Sequence, residues 1–313
     1  MAGRQGIALH RFAVVTATAT YVLLFLGGLV TSTGSGLAVP DWPLSFGQVF
    51  PAMVGGVLFE HGHRLAATVV GILTTTLAVW TVVREPRPGV RVLGTLMLFA
   101  VVLQGVLGGV TVLYKLPLAV SVTHACLAQI FFCLCVAMAV VTGPAWLRAG
   151  GGFTVAAPVA ALAAVTTAAV FVQLVLGALV RHTGAGLAIP DFPLAFGRLV
   201  PPFDTRLIAI HFAHRVGAAV VTVLVASLLV RCLGAFRSDR RLVRLATLAA
   251  SLVVLQIALG ATILWTHRAV FPTTLHLVIG AGVLATCLAL TLHAGRVAVP
   301  AAATPDLRHA VPA

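Results

Sequence analysis

Four histidines recur at matching places in the two halves of this 313-residue sequence. His63 and His214 each precede an arginine near the start of an apolar stretch, and His124 and His276 lie near the start of a later apolar stretch. Two imidazoles that face each other from neighbouring helices can hold a haem iron from both sides. The pattern therefore predicts one bis-histidine haem site in each half.

Other uses of these histidines are open at this point. A single histidine inside a membrane often only bonds a neighbouring helix, although two related pairs are costly without a function. Zinc prefers about four ligands, and each half offers two paired histidines. His61 cannot act with His63, because residues two apart are about 200° apart around a helix. The remaining histidines are predicted to be interfacial: His10, His182, His267, His293 and His309.

One acidic residue distinguishes the two halves. The first half reads Glu-His-Gly-His-Arg over residues 60–64, and the second reads His-Phe-Ala-His-Arg over residues 211–215. Glu60 lies three residues before His63, so the two side chains share a helix face. A carboxylate in the membrane is expected to be functional, and proton transfer is the chemistry it offers. The alternatives are an ion pair with Arg64 and a helix-start residue that contacts water.

The elements that must position these residues are transmembrane helices. The chain is 60% hydrophobic and 9% charged, with a mean hydropathy of +1.10, whereas about a quarter of a soluble domain is charged. Basic residues flank the apolar runs, which argues against a nucleic-acid partner despite the net charge of +13. Eight helical spans are predicted, over residues 11–31, 58–83, 91–113, 118–142, 155–180, 206–231, 242–265 and 270–294.

Charge also predicts the orientation of the chain in the membrane. With eight spans both termini lie on one side, and the segments on that side carry 13 basic residues against 5 on the other. Both termini are therefore predicted to be cytoplasmic. The first span is interpreted as a retained helix, because no small-residue cleavage site clearly follows it. The predicted outer loops contain no cysteine, so no external disulfide is expected.

The two halves are an internal repeat. Residues 33–47 align with residues 183–197 at an offset of 150, and later motifs align in the same order at offsets of 151 and 152. Because each half has four spans, we predict two tandem four-helix bundles related by a pseudo-twofold axis along the membrane normal. The predicted division is a first half (1–147), a linker (148–153), a second half (154–296) and a cytoplasmic tail (297–313).

The repeated loop after the first and fifth spans is about 25 residues long. Ordered loops of this length are usually functional, and we expect each loop to cap the site beneath it. Arg64 and Arg215 follow the histidines directly, and a guanidinium binds carboxylates in a bidentate manner. The two arginines are therefore predicted to pair with haem propionates, or else to extend from the helix end toward water.

These features resemble the haem A synthase family. The family is similar in its eight spans, two fused four-helix halves, Glu-x-x-His-Arg motif and paired histidines, and the resemblance covers about residues 10–295. It implies a haem b cofactor held by His214 and His276 in the second half. It also implies that haem O, the substrate, binds near His63 and His124, with Glu60 as the catalytic carboxylate.

The resemblance also implies a reaction and a set of partners. The methyl group of haem O would be oxidised to the formyl group of haem A by successive hydroxylation and loss of water. A bacterial plasma membrane, a membrane electron donor and handover from haem O synthase are expected, and a homo-oligomer is left open. Many bacterial members carry an outer-loop cysteine pair that this chain lacks. The alternatives are a non-catalytic di-haem b electron-transfer cytochrome and a transporter.

Overall fold

The structure, a computed structural model, describes residues 4–148, 157–235, 237 and 239–295. Of the predicted linker only Arg148 lies within these ranges, and the predicted tail lies outside them. The helices in chain order are α1 (Arg4–Ser32), α2 (Gly56–Arg84), α3 (Pro88–Leu113), α4 (Leu118–Thr142), α5 (Pro144–Arg148), α6 (Ala157–His182), α7 (Arg206–Ala235), α8 (Arg240–Trp265) and α9 (Val270–Ala294).

Eight of these helices are long and apolar enough to cross a membrane, and only the five-residue α5 is not. No strand occurs among the described residues, so the predicted all-α class with eight spans is confirmed. Helices satisfy their own backbone hydrogen bonds, which lipid cannot do. Threonine hydroxyls inside them bond the carbonyl one turn earlier, as Thr74 does to Val70 at 2.7 Å, so these polar groups also have partners.

Several helices extend beyond the predicted spans. α1 begins at Arg4 instead of residue 11, α2 begins at Gly56 instead of residue 58, and the short α5 was not predicted. Apolar content marks the lipid-facing part of a helix, whereas its hydrogen bonds continue into the interface. As a consequence His63 lies about two turns inside α2, deeper than the start of the apolar run suggests.

The same helix neighbours occur in both halves. In the first half α1 packs against α2 and α4, and α3 packs against α2 and α4. In the second half α6 packs against α7 and α9, and α8 packs against α7 and α9. Between the halves α9 contacts both α1 and α4, and α4 also contacts α6. The helices that carry His124 and His276 therefore lie at the junction of the halves, and the pseudo-twofold axis stays a prediction.

Apolar cores and histidines occupy opposite ends of the bundles. Leu77, Met97 and Met138 are fully buried near the ends of the first-half helices that lie away from the long loops, and Leu228 and Leu290 are their second-half counterparts in position. The long loops, L1 (residues 33–55) and L2 (residues 183–205), lie at the other end. The loop end holds the histidines and other polar residues, together with a smaller apolar cluster around Ile189 and Ile208 in the second half.

Candidate functional site

The four histidines lie at the loop end, two in each half. His63 is on α2 and His124 is on α4, whereas His214 is on α7 and His276 is on α9. The ring centroids of His214 and His276 are 6.3 Å apart. Two imidazoles that bind one metal atom from opposite sides have ring centres about 6 Å apart, since each metal–nitrogen distance is about 2 Å. The second-half pair therefore fits a bis-histidine haem.

The hydrogen bond of His276 supports the same fit. Its Nδ1–H donates to the backbone carbonyl of Gln256 at 3.1 Å, which leaves Nε2 free to be a ligand. In the first half, Nδ1 of both His63 and His124 is buried without a partner among the described residues. No group of three or more His, Cys, Asp or Glu side chains that could hold a metal occurs within the described ranges. The donor set thus suits haem better than zinc.

Each histidine packs against a glycine on the neighbouring helix. A Cβ atom at Gly27 would lie 3.0 Å from Cε1 of His63, and one at Gly108 would lie 3.4 Å from Cε1 of His124. The equivalent distances are 3.2 Å for Gly177 with His214 and 3.4 Å for Gly260 with His276. The missing side chains let the rings approach the helix backbone closely.

Gly108 and Gly260 align at the offset of 152 given above for the later motifs. Gly27 and Gly177 stand at the same offset of 150 as the loop repeat, so the alignment could have found them. Hydropathy carried no such signal, because a glycine in an apolar span does not reveal which side chain it faces.

Glutamine amides hold three of the four histidine segments. Nε2 of Gln104 donates to the His124 carbonyl at 3.1 Å, and Nε2 of Gln256 donates to the His276 carbonyl at 2.8 Å. Gln173, which the sequence analysis did not single out, donates to the His214 carbonyl at 2.8 Å. The first-half residue at the corresponding offset of 150 is Leu23, so His63 has no equivalent glutamine.

Glu60 is buried and held on both carboxylate oxygens. Its Oε1 accepts from Arg64 at 2.6 Å and its Oε2 accepts from the backbone N–H of Val39 in L1 at 2.9 Å. Only 4% of its surface is exposed, so it is not a residue that simply contacts water. The ion pair with Arg64, one of the alternatives considered above, is present. It is compatible with proton transfer, because each carboxylate oxygen can accept more than one hydrogen bond.

His211 takes the structural place of Glu60 in the second half. Its Nδ1 lies 3.3 Å from the backbone nitrogen of Ile189, and its Nε2 lies 3.3 Å from Nε of Arg215. Both side chains thus link a loop backbone to the arginine that follows the ligand histidine. The halves share this geometry and differ in whether the linking group is a carboxylate.

A second polar contact occurs in the first half alone. The hydroxyl of Ser45 in L1 lies 2.7 Å from Nδ1 of His61, and both residues are buried. The residues at the corresponding offsets are Ala195 and Phe212, which belong to an apolar cluster under L2. The position of His61 excluded it as a ligand beside His63, but no pattern in the sequence indicated its contact with the loop.

Arg64 and Arg215 bind the loops, which differs from the predicted propionate pairing. Nη1 of Arg64 donates to the carbonyls of Asp41 and Leu44 at 2.7 and 2.8 Å. Arg215 donates in the same way to the carbonyls of Asp191 and Leu194 at 2.7 and 2.8 Å. The irregular loop backbone presents carbonyls that need donors, and a long side chain at the helix start can reach them.

An aspartate closes the turn in each loop. The Asp41 carboxylate accepts from the backbone N–H groups of Phe46 and Gly47 at 2.7 and 2.8 Å, where both residues have left-handed backbone. Asp191 makes the same bonds in L2. The bond from Gly47, followed by that from Phe46, holds the pKa of Asp41 below its ordinary value. These bonds explain why Asp and Gly occur at the same places in both loops.

An aromatic side chain of L1 packs on α3. A Cβ atom at Gly109 would lie only 2.7 Å from Cδ2 of Trp42, so the indole lies directly on the α3 backbone. The residues at the equivalent offsets are Phe192 and Ala261. The first half thus combines an indole with a glycine, whereas the second half has a phenyl ring and an alanine at the corresponding positions.

The five cysteines are all unpaired in the structure. They are Cys126, Cys133, Cys135, Cys232 and Cys287, and every one lies in a helix.

Comparison with known proteins identifies the family. Residues 56–288 match the COX15-CtaA family, described as cytochrome oxidase assembly protein. Heme A synthase from Symbiobacterium thermophilum is 34% identical over 95% of this chain and 99% of its own length. Heme A synthase from Shouchella clausii is 31% identical over 83% of this chain and 88% of its own length. With the paired histidines and the shared helix arrangement, these matches mean that the chain belongs to the cytochrome oxidase assembly family that includes the haem A synthases.

Proposed function

We propose that this protein is a membrane oxidoreductase that converts haem O to haem A. The methyl group of haem O is oxidised to a formyl group by successive hydroxylation and loss of water, and an external oxidant takes up the electrons that leave the methyl carbon. The observation that carries the proposal is the buried carboxylate of Glu60, which lies one helical turn from His63 and has no acidic counterpart in the second half. The names of the relatives support the same activity.

The two halves have different roles in this proposal. His214 and His276 hold a haem b cofactor, for which the 6.3 Å separation of their rings is suited. The chemistry that a bis-histidine haem supplies is one-electron transfer. His63 and His124 bind the substrate haem O in the first half. Gly27 and Gly108 let these imidazoles lie against the helix backbone, which fixes where the macrocycle is held.

Glu60 is the proposed catalytic acid–base group. Arg64 and the Val39 N–H fix both oxygens of its carboxylate, so the group has one orientation toward the site. L1 covers this residue and excludes water from it. Removal of hydrogen from a methyl group and dehydration of a diol both require proton transfer, which a positioned carboxylate accelerates about 100-fold or more.

The proposed setting is the bacterial plasma membrane, with both termini cytoplasmic and with L1 and L2 on the outside. This orientation rests on the excess of basic residues at the other end of the helices. A membrane electron donor and the lipid bilayer are the partners of the reaction. Haem O arrives from haem O synthase, by direct handover or through the lipid.

The direct test is to supply haem O to membranes that contain the protein and to analyse the extracted haems. We expect hydroxylated haem O and haem A, and membranes without the protein are the control. If only unchanged haem O is recovered while two haems are bound, the protein is a di-haem b electron-transfer cytochrome instead.

The assignment of the halves has its own test. His276→Ala should remove the haem b spectrum of the purified protein, whereas His124→Ala should leave that spectrum and weaken haem O binding. The opposite result would mean that cofactor and substrate occupy the other halves.

A further inference from the structure

Arg181 is a charged side chain at the junction of the two halves. It lies on α6 one turn beyond Gly177, the glycine that contacts His214. Its Nη2 donates to the carbonyl of Gly28 and to the hydroxyl of Ser32 on α1, both at 2.8 Å. The side chain therefore extends from the second half to the first half, at the depth of the histidines.

This guanidinium has no carboxylate partner. The ion pairs in the described part of the chain are Arg64 with Glu60 and Arg87 with Glu85. Nε of Arg181 is buried and has no hydrogen-bond partner among the described residues. A buried cation is costly unless an anion accompanies it. Arg181 therefore lacks, among the described residues, the anion that a buried cation requires.

A second cation lies nearby. The side chain of Arg268, which follows α8, lies against the same glycine, Gly186 of L2, as Val180, the chain neighbour of Arg181. Arg268 lies in the loop between α8 and α9. Two neighbouring like charges repel each other, so their closeness further favours an anion between or beside them.

The position of Arg181 points to the second-half haem site. Arg181 lies one helical turn beyond Gly177, which contacts His214, one of the two proposed cofactor ligands. The first-half residues at the corresponding offsets of 150 and 152 are Thr31 for Arg181 and Leu116 for Arg268. The cation pair is therefore a property of the second half, like the proposed haem b.

We propose that Arg181, assisted by Arg268, binds a carboxylate group of the haem in the second half, namely a porphyrin propionate. This proposal rests on the proposed function, because it requires a haem between His214 and His276. It replaces Arg64 and Arg215 in that role, since their N–H groups bond the loops. A guanidinium with a free N–H matches a propionate in charge and in hydrogen-bonding geometry.

The test compares haem b with its dimethyl ester, which has the same macrocycle but no propionate charge. The His124→Ala background removes a ligand of the first half, so that absorbance titration reports on the second half. We expect this protein to bind haem b about 10- to 100-fold more tightly than the ester. Adding Arg181→Met should remove the preference, and Arg181→Lys should keep part of it.

Two controls separate binding from folding. Ser32→Ala removes a bond between Arg181 and α1 without removing charge, and Arg244→Met removes an exposed arginine of α8. Both should keep the preference for haem b. If Ser32→Ala loses as much of the preference for haem b as Arg181→Met does, Arg181 only bonds the two halves to each other and the proposal is wrong. If Arg181→Met does not fold, the preference for haem b over the ester is compared in Arg181→Lys, Arg268→Met and Ser32→Ala. A smaller preference in Arg181→Lys and Arg268→Met than in Ser32→Ala supports the proposal, and equal preferences contradict it.

Further outcomes would also overturn the proposal. Equal binding of haem b and its ester by the parent protein, or an unchanged preference in Arg181→Met, would exclude a propionate contact. Loss of the positive charge should in addition lower the midpoint potential of the bound haem. A failure of the proposed function looks different: haem O is not converted, whereas the preference for haem b over the ester persists.

Discussion

The two halves of the molecule share a scaffold and differ in several side chains around the histidines. Both have a histidine pair on corresponding helices, a glycine against each imidazole, and a loop closed by an aspartate. In both, the arginine after the first ligand donates to loop carbonyls. These features hold a haem and cover it, which each half is proposed to do.

Two of the differences lie where the loop meets the first histidine helix of each half. Glu60 is replaced by His211, and the Ser45–His61 contact is replaced by Ala195 and Phe212. The second half instead has Gln173 behind His214 and the cation Arg181 beside the site. The first half thus has an acid group one helical turn from a proposed haem ligand, whereas the second half has an amide and a cation beside its histidine pair. Duplication of a haem-binding bundle, followed by change at few positions, can separate substrate and cofactor roles.

The largest expected effect is that of Glu60→Gln. The variant keeps an acceptor for the Val39 N–H but loses the charge and the proton-transfer group, so conversion of haem O should fall about 100-fold or more. The haem b spectrum should be unchanged. The matched change His211→Gln in the second half should reduce the conversion of haem O far less. Extracted haems measure both effects, and retained turnover in Glu60→Gln would refute its catalytic role.

The next effect concerns the glycines that the halves share. Gly27→Ala places a methyl group 3.0 Å from His63, and we expect haem O to bind about tenfold more weakly while haem b is retained. Gly177→Ala should weaken the binding of haem b and leave the binding of haem O unchanged. Gly71→Ala is the control, because nothing lies within 4 Å of it and Ala favours a helix by about 1 kcal/mol. Equal losses in all three variants would show that the glycines do not position the histidines.

A double-mutant cycle tests the contact that only the first half has. Ser45→Ala leaves the buried Nδ1 of His61 without a partner, which costs about 1–3 kcal/mol and lowers the melting temperature by about 2 °C or more. Ser45→Ala combined with His61→Phe recreates the second-half pair and should recover part of this loss. Thermal unfolding in detergent measures the coupling, expected at about 1 kcal/mol. Additive effects would mean that the contact contributes nothing specific.

The smallest effect is a pH response that both loops should share. Backbone hydrogen bonds lower the pKa of Asp41 and Asp191 in the folded chain. The contribution of these two carboxylates to the stability of the folded state is therefore fully present above the unfolded pKa of about 3.9. It is lost only as the pH falls through the lower folded pKa. The Trp42 emission, obtained by difference from Trp42→Phe, should be constant from about pH 8 to 5 and should change below about pH 4. Asp41→Asn should remove that acid transition, and a change near neutral pH would contradict the assignment.

Much of this protein is determined by its sequence alone. The eight spans follow from hydropathy, because lipid accepts only helices that satisfy their own backbone. The repeat follows from matched motifs at near-constant offsets, and the histidine pairs follow from the repeat. Glu60 stood out because acidic residues are rare in the chain and its counterpart is not acidic. These properties depend on residue type and spacing.

The tertiary structure decided which side chains meet across helices and loops. Hydropathy did not show that Gly27 faces His63, that Ser45 contacts His61, or that Gln173 supports His214. Nor did it show that the guanidinium of Arg64, for which the position after His63 predicted a propionate partner, bonds carbonyls of L1. Such contacts depend on how each helix is rotated toward its neighbours and on the path of an irregular loop. Neither is encoded in a local pattern, because both result from the packing of the whole bundle.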